Sequence, residues 1–137
     1  MCDKLGYPLS CKSVPFVTQN KERKDIMEDC IFCKIVNREI PSTLVYEDEN
    51  VIAFNDLYPQ APIHIIVIPK KHVANVTEAD AEMIKNIFEV INKIAIEKGI
   101  DKSGFRVVTN CGENAGQTVN HLHFHILAGK KLEEKAL

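Results

Sequence analysis

No stretch of this chain approaches the ~20 consecutive apolar residues needed to cross a bilayer, so no role within a membrane is expected. The amino terminus also lacks the basic-then-apolar layout of a secretory signal, which points to a cytoplasmic location, with the nucleus open as well. Charge of one sign is missing: 17 Lys and Arg stand against 19 Asp and Glu, a formal net charge of −2. Bulk nucleic acid is therefore not an expected partner, and a small anionic ligand would need a local site. Cysteines are few and odd in number, five in 137 residues, without the dense spacing of a small secreted disulfide scaffold. Reduced thiols and metal ligands are the expected uses. Tryptophan is absent altogether, and neither an internal repeat nor a low-complexity block occurs.

What remains is a soluble globular composition, 45% hydrophobic and 26% charged, at a length suited to one domain with one sizeable core. Residues 1–28 mix Lys, Asp, Ser, Pro and Thr without an apolar period, so they are expected to form a flexible extension in which Cys2 and Cys11 are incidental. A single domain over 29–137 follows. Leu44–Glu47 and Val51–Asn55 are expected to pair as a hairpin, Ile63–Ile68 to be a central strand ended by Pro69, and 105–110 to be a further strand. Ile84, Ile87, Phe88, Ile91, Ile94 and Ala95 recur at three- and four-residue steps. They predict one long helix, capped by Thr77 at its start and stopped at Gly99.

Chemistry concentrates in 120–128, NHLHFHILA, where His121, His123 and His125 alternate with Leu122, Phe124 and Ile126. A strand alternates faces with a period of two, so the three imidazoles are expected to share one face while the apolar set enters the core. Such a row suits a working surface, a three-imidazole zinc site, or only a His-rich edge strand. Cys30 and Cys33, on a short helical turn, form a C-x-x-C that is a redox pair or half of a zinc site. A four-ligand zinc site needs two further donors, for which His72 and His121 are candidates. His64, in an otherwise apolar strand, is a satisfied core histidine or faces the site. Asp56 closes a strand beside the Pro-fixed loop 58–62, as a solvated turn residue or a hydroxyl acceptor. The loop 111–120, with Gly112 and Gly116, brings backbone amides next to the first triad histidine. It forms a candidate phosphate cradle with Asn110, Gln117 and Thr118 as side-chain donors.

The triad segment, with EIPSTLVYED (39–48), AFNDLYPQAPIHIIVIPKKH (53–72) and GENAGQTVNHLHFHILAG (112–129), resembles the histidine triad (HIT) superfamily, and its Hint-like branch in particular. The resemblance covers about residues 30–129. It implies an α+β fold: a five-stranded antiparallel sheet with one long helix and a short N-terminal helix, joined across a two-fold axis into a homodimer with a continuous sheet. It implies a structural Zn²⁺ on Cys30, Cys33, His72 and His121, with no catalytic metal. His123 would be the nucleophile, supported by His125, His64 and Thr118, while the amide of Gly116, Gln117, Thr118 and Asn110 meet the phosphate. A purine pocket would be lined by Ile31, Phe32, Ile35, Ile40, Phe54, Leu57 and Ile66, and Asp56 would grip the ribose.

The implied function is that of a purine nucleotide-binding hydrolase of the adenosine 5′-monophosphoramidase type. It would cleave the P–N bond of nucleoside phosphoramidates through a nucleotidyl-histidine and release AMP or GMP. Two alternatives stand beside it: a dinucleoside polyphosphate hydrolase of the Fhit type, and a zinc-stabilised, nucleotide-dependent adaptor with vestigial catalysis. The C-x-x-C and the EIPS and PQAP segments favour the first. The tail 129–137 lacks the Trp found near the end of some animal relatives, which leaves the leaving-group preference open.

Overall fold

A computed structural model describes residues 29–134; the predicted extension 1–28, with Cys2 and Cys11, lies outside the described residues. In chain order the elements are α1 (Ile31–Val36), β1 (Leu44–Glu47), β2 (Val51–Asn55), β3 (Ile63–Pro69), α2 (Ala81–Glu97), α3 (Ile100–Ser103), β4 (Phe105–Val108) and β5 (Phe124–Ala128). The strands form one antiparallel sheet in the order β1-β2-β3-β5-β4, so the predicted α+β architecture of five strands, one long helix and a short first helix is present.

Strand parity divides the sheet into two faces. Val51, Ala53, Ile65, Val67, Phe124 and Ile126 join Ile87, Val90, Ile91 and Ile94 of α2 in the main core. The alternate residues Ile52, Phe54, Ile66 and Ile68 meet Phe32 and Ile35 of α1 in a second apolar cluster on the other face. Each large aliphatic removed from water contributes about 1.5–3 kcal/mol, so α2 is held mainly by Ile87, Ile91 and Ile94, all essentially inaccessible. Phe88, expected on the buried stripe, sits at its margin with 39% exposure and covers the ring of Phe124 edge-on. Val90 takes the inward position instead.

The long helix starts later than Thr77. Asn75 Oδ1 accepts from the Thr77 N–H and hydroxyl and caps a separate 3₁₀ turn over Val76–Glu78. Ala79 then turns extended, and Asp80 Oδ1 accepts from Met83 N–H at 2.9 Å as the true N-cap. The stop is as expected: Gly99 adopts φ +76°, open to glycine at little cost, although a further short helix, α3, follows directly.

β5 is also shorter than the alternating pattern suggests, beginning at Phe124. The β3–β5 ladder runs out where Val67 opposes Phe124, two residues before Pro69, which has no N–H to give, and the chain before β5 bonds elsewhere: Leu122 N–H donates to Val73 O. Alternation nevertheless survives, since Leu122 stays in the main core. Register then brings two histidines together. Ile66 opposes His125 and His64 opposes Leu127, so His64 and His125 are diagonal neighbours on the face away from α2.

Candidate active site and metal site

His121, Cys30, Cys33 and His72 converge at one end of this face. Cys30 is the N-cap of α1, its sulfur accepting from Cys33 N–H. Cys30 Sγ and Cys33 Sγ lie 3.4 and 3.5 Å from His121 Nδ1, Cys33 Sγ lies 3.3 Å from His72 Nδ1, and the two Nδ1 atoms are 3.1 Å apart. His121 Nε2–H donates to Pro69 O at 2.9 Å, which leaves Nδ1 as a bare lone pair. Burial holds this ring well below the usual imidazole value, at about 4. Two thiols and two imidazoles whose lone pairs can face one another are a donor set suited to a cation. Tetrahedral Zn²⁺ with Zn–S near 2.3 Å and Zn–N near 2.05 Å would separate its ligands by roughly 3.3–3.8 Å; the three sulfur–nitrogen spacings fit that edge length, and the 3.1 Å between the two Nδ1 atoms is slightly shorter. The four residues can hold one metal ion.

His123 turns to a different partner. Its Nδ1–H donates to the carbonyl of His121 at 2.7 Å, so the Nε2 lone pair is free to act. The residue is 6% exposed, and burial lowers its pKa, with the His121 carbonyl and Asp56 opposing; the ring is therefore neutral at pH 7, with its one proton on Nδ1. Phe32 packs edge-on against it at 5.1 Å between centroids. Sequence reasoning missed Thr109, whose hydroxyl donates to His123 O at 2.8 Å, because nothing marks a Thr inside the expected strand 105–110, and only the structure shows that β4 ends one residue before it.

His125 forms the third arrangement. Its Nδ1 lies 2.8 Å from His64 Nε2, which is 3.3 Å from Asp56 Oδ2, while His64 Nδ1 accepts from Gln60 N–H at 2.9 Å. Burial lowers both imidazoles, His125 to about 4. The His64 alternatives thus resolve: it is both buried and joined to the triad. Asp56 Oδ1 meanwhile accepts from Tyr58 N–H, which fixes the carboxylate at the mouth of the loop. The three triad residues do not converge on a single ion, because His121 groups with the thiols and His125 with Asp56 and His64.

Of the expected pocket residues, Phe32, Ile35, Phe54 and Ile66 form the second apolar cluster with Ile40 against it. Ile31 is 48% exposed and Leu57 is 82% exposed, outside that cluster. The loop expected to cradle phosphate makes several bonds within the protein. Gly116 N–H donates to Glu113 O to close a 3₁₀ turn. The Gln117 amide accepts from Gly112 N–H and donates to Ala74 O and Val119 O. Those bonds brace the loop internally and tie it to the carbonyl of the half-buried Ala74. Thr118 is exposed and Asn110 half-buried near the same loop.

The family model for the HIT domain matches residues 37–132. The purine nucleoside phosphoramidase of Escherichia coli is 43% identical over 108 residues, covering 77% of this chain and 91% of that protein. A histidine triad protein from Clostridium difficile is 58% identical with a TM-score of 0.76, covering 79% of this chain and 96% of that one. A HIT family hydrolase from Clostridium thermocellum is 50% identical at TM-score 0.77, covering 81% and 99%. With a divided row of histidines on the matching fold and a family match over well more than half of its length, the chain belongs to the HIT domain family.

Proposed function

We propose that this protein is a nucleoside phosphoramidate hydrolase acting on purine substrates, with a structural Zn²⁺ on Cys30, Cys33, His72 and His121. The observation that carries the reading is the bond from His123 Nδ1–H to the His121 carbonyl. It aims an uncharged Nε2 lone pair as a nucleophile. The likeness to the E. coli phosphoramidase supports the substrate class.

The purine rests against the α1-side cluster around Phe32, Ile35, Phe54 and Ile66, with Ile31, Ile40 and Leu57 at its margin, and the ribose hydroxyls donate to Asp56. His123 Nε2 attacks the α-phosphorus and forms a P–N bond as the substrate's own P–N bond breaks. The departing nitrogen keeps that electron pair and takes a proton from solvent, leaving as the amine. Water then attacks phosphorus, the bond to His123 breaks with its pair returning to Nε2, and one proton goes back to solvent with release of AMP or GMP. Charge growing on the phosphoryl oxygens meets His125 Nε2–H, Thr118 and Asn110. Gly116 and Gln117 shape the loop. The zinc stays outside the reaction and ties α1, the exit of β3 and the approach to β5 together.

We also infer a homodimer through β4, a sheet edge paired on one side by β5 and suited to a two-fold partner strand. The reduced thiols fit a cytoplasmic setting. Turnover of adenosine 5′-phosphoramidate well above that of diadenosine triphosphate is expected, and the reverse order would favour the Fhit-type alternative. His123→Ala should abolish turnover while AMP still binds; full activity in that variant would overturn the role of His123. No burst of amine in a single turnover with any phosphoramidate would favour the adaptor.

A further inference from the structure

A peptide N–H can only donate, so the bond from Gln60 N–H to His64 Nδ1 at 2.9 Å marks that ring nitrogen as unprotonated. The neutral His64 ring then carries its one proton on Nε2. This proton has two acceptors in reach, His125 Nδ1 at 2.8 Å and, at greater length, Asp56 Oδ2 at 3.3 Å. His125 Nδ1 is therefore an acceptor, and the neutral His125 ring holds its own proton on Nε2. We infer that the backbone amide of Gln60, acting through His64, fixes His125 as a one-way hydrogen-bond donor and denies the His64–His125 pair any place for an added proton.

This inference rests on the assignment of His125 to the phosphoryl group and deepens it. A proton passed along the pair to a leaving amine would strip His64 of its only ring proton. An extra proton arriving from outside would have to enter His64 Nδ1 against the Gln60 N–H, or His125 Nδ1 against the His64 Nε2–H. The pair is thus a polarised brace and not a shuttle, in keeping with a departing nitrogen that draws its proton from solvent. The titratable groups facing it are Asp56 at the end of β2 and His123, whose ring lies 5.1 Å from that of His125. Asp56, His64 and His125 also lie close enough to hold a cation. That use would need a lone pair on His64 Nε2, and the Gln60 N–H holds the proton there. Pro59 and Pro62 flank the loop and limit its backbone freedom, which suits an amide that must keep one direction.

The test is nitrogen-15 NMR of the histidines in the full chain, with zinc bound and no substrate. The expected spectrum shows His64 with an unprotonated Nδ1 and protonated Nε2, His125 the same, and no titration of either ring between about pH 8 and pH 5.5. Gln60→Pro deletes the donor, and His64 should then populate the Nδ1–H form or titrate in this range. With it kcat should fall about tenfold or more at little change in KM. Gln60→Ala keeps the amide and should keep the wild-type spectrum. A wild-type His64 protonated at Nδ1, a pair that titrates near the free-imidazole value of ~6.5, or a Gln60→Pro spectrum identical to wild type would each overturn the inference. If Gln60→Pro fails to fold, the wild-type spectrum decides alone. Because that spectrum is read without substrate, absence of phosphoramidase turnover would leave the inference standing, and a wrong tautomer would sink it while turnover persists.

Discussion

Thr109 offers a sharp test of how the nucleophile is held. The β4–β5 ladder ends where Val108 opposes His125, and one residue later the Thr109 hydroxyl takes over by donating to His123 O at 2.8 Å. Thr109→Val keeps the β-branched shape and deletes only that donor. His123 is 6% exposed, so water does not readily replace the lost partner. An orphaned buried acceptor costs about 1–3 kcal/mol, against roughly 0.5–1.5 for an average hydrogen bond in net terms. A loss of about 1–2 kcal/mol is expected, or roughly 4–8 °C in Tm for a domain of this size.

The catalytic effect should be larger than the stability effect. The carbonyl belongs to the peptide that joins the nucleophile to β5, and the attacking nitrogen must lie about 3–3.5 Å from phosphorus in line with the leaving group. A drift of about an ångström costs ~10²-fold. Thr109→Val should therefore lower kcat about ten- to a hundredfold with KM little changed, since the residues proposed to contact the base and ribose lie on other elements. Scanning calorimetry and steady-state turnover of adenosine 5′-phosphoramidate measure both, and Thr109→Ser should recover both. Wild-type kcat and Tm in Thr109→Val would refute the idea that this hydroxyl holds the triad.

Metal removal by a strong chelator should lower Tm and kcat together, because His121 offers Nδ1 to the ion cluster and its carbonyl to His123; Cys33→Ser should reproduce this, and a chelated protein with wild-type Tm would contradict it. Burial holds His125 down at about 4 and His64 below the ordinary imidazole value, so the unfolded chain binds more protons below about pH 6.5, and for His125 down to about pH 4. Stability should be level above that window and fall as pH drops through it, by up to roughly 1.4 kcal/mol per pH unit for His125 with His64 adding in the same direction; urea midpoints that stay flat on acidification would count against it. Gly129→Ala should destabilise by about 1–3 kcal/mol, because Gly129 sits at φ +98° and an added Cβ would meet Pro62 Cβ at 2.8 Å; an unchanged Tm would show that the 129–62 contact yields.

The parts of the fold written in local pattern were legible. Alternation gave the hairpin and the core side of Leu122, Phe124 and Ile126, and three- and four-residue spacing gave the long helix. The miss at Thr77 has a local cause: Asn75 and Asp80 are both good caps, and only the extended Ala79 between them shows that two short-range structures follow one another. The site was legible where residue type decides the chemistry, as with two thiols and two imidazoles that gather within bonding range of one ion. It was not legible where the partner is backbone. Gln60 N–H, Pro69 O and His121 O carry no side-chain signature, and Thr109 matters for where its strand ends. Gln117 suits phosphate by type alone, as an amide beside a glycine loop, and the three bonds it closes within the protein were not legible.

Those backbone partners explain how one repeated residue takes three different hydrogen-bonding arrangements, each suited to one of the proposed tasks. His121 donates from Nε2 to Pro69 O and presents Nδ1 to a metal site. His123 donates from Nδ1 to His121 O and presents Nε2 as a lone pair. His125 accepts at Nδ1 from His64 and presents Nε2 as an N–H. Swapping the proton on any one ring would convert a nucleophile into a donor or a donor into a ligand, with the amino acid unchanged. Selectivity among the three positions is therefore set by the carbonyls and amides around them, and a variant that rearranges the Pro69 or Gln60 backbone should disturb the chemistry as surely as replacing a histidine.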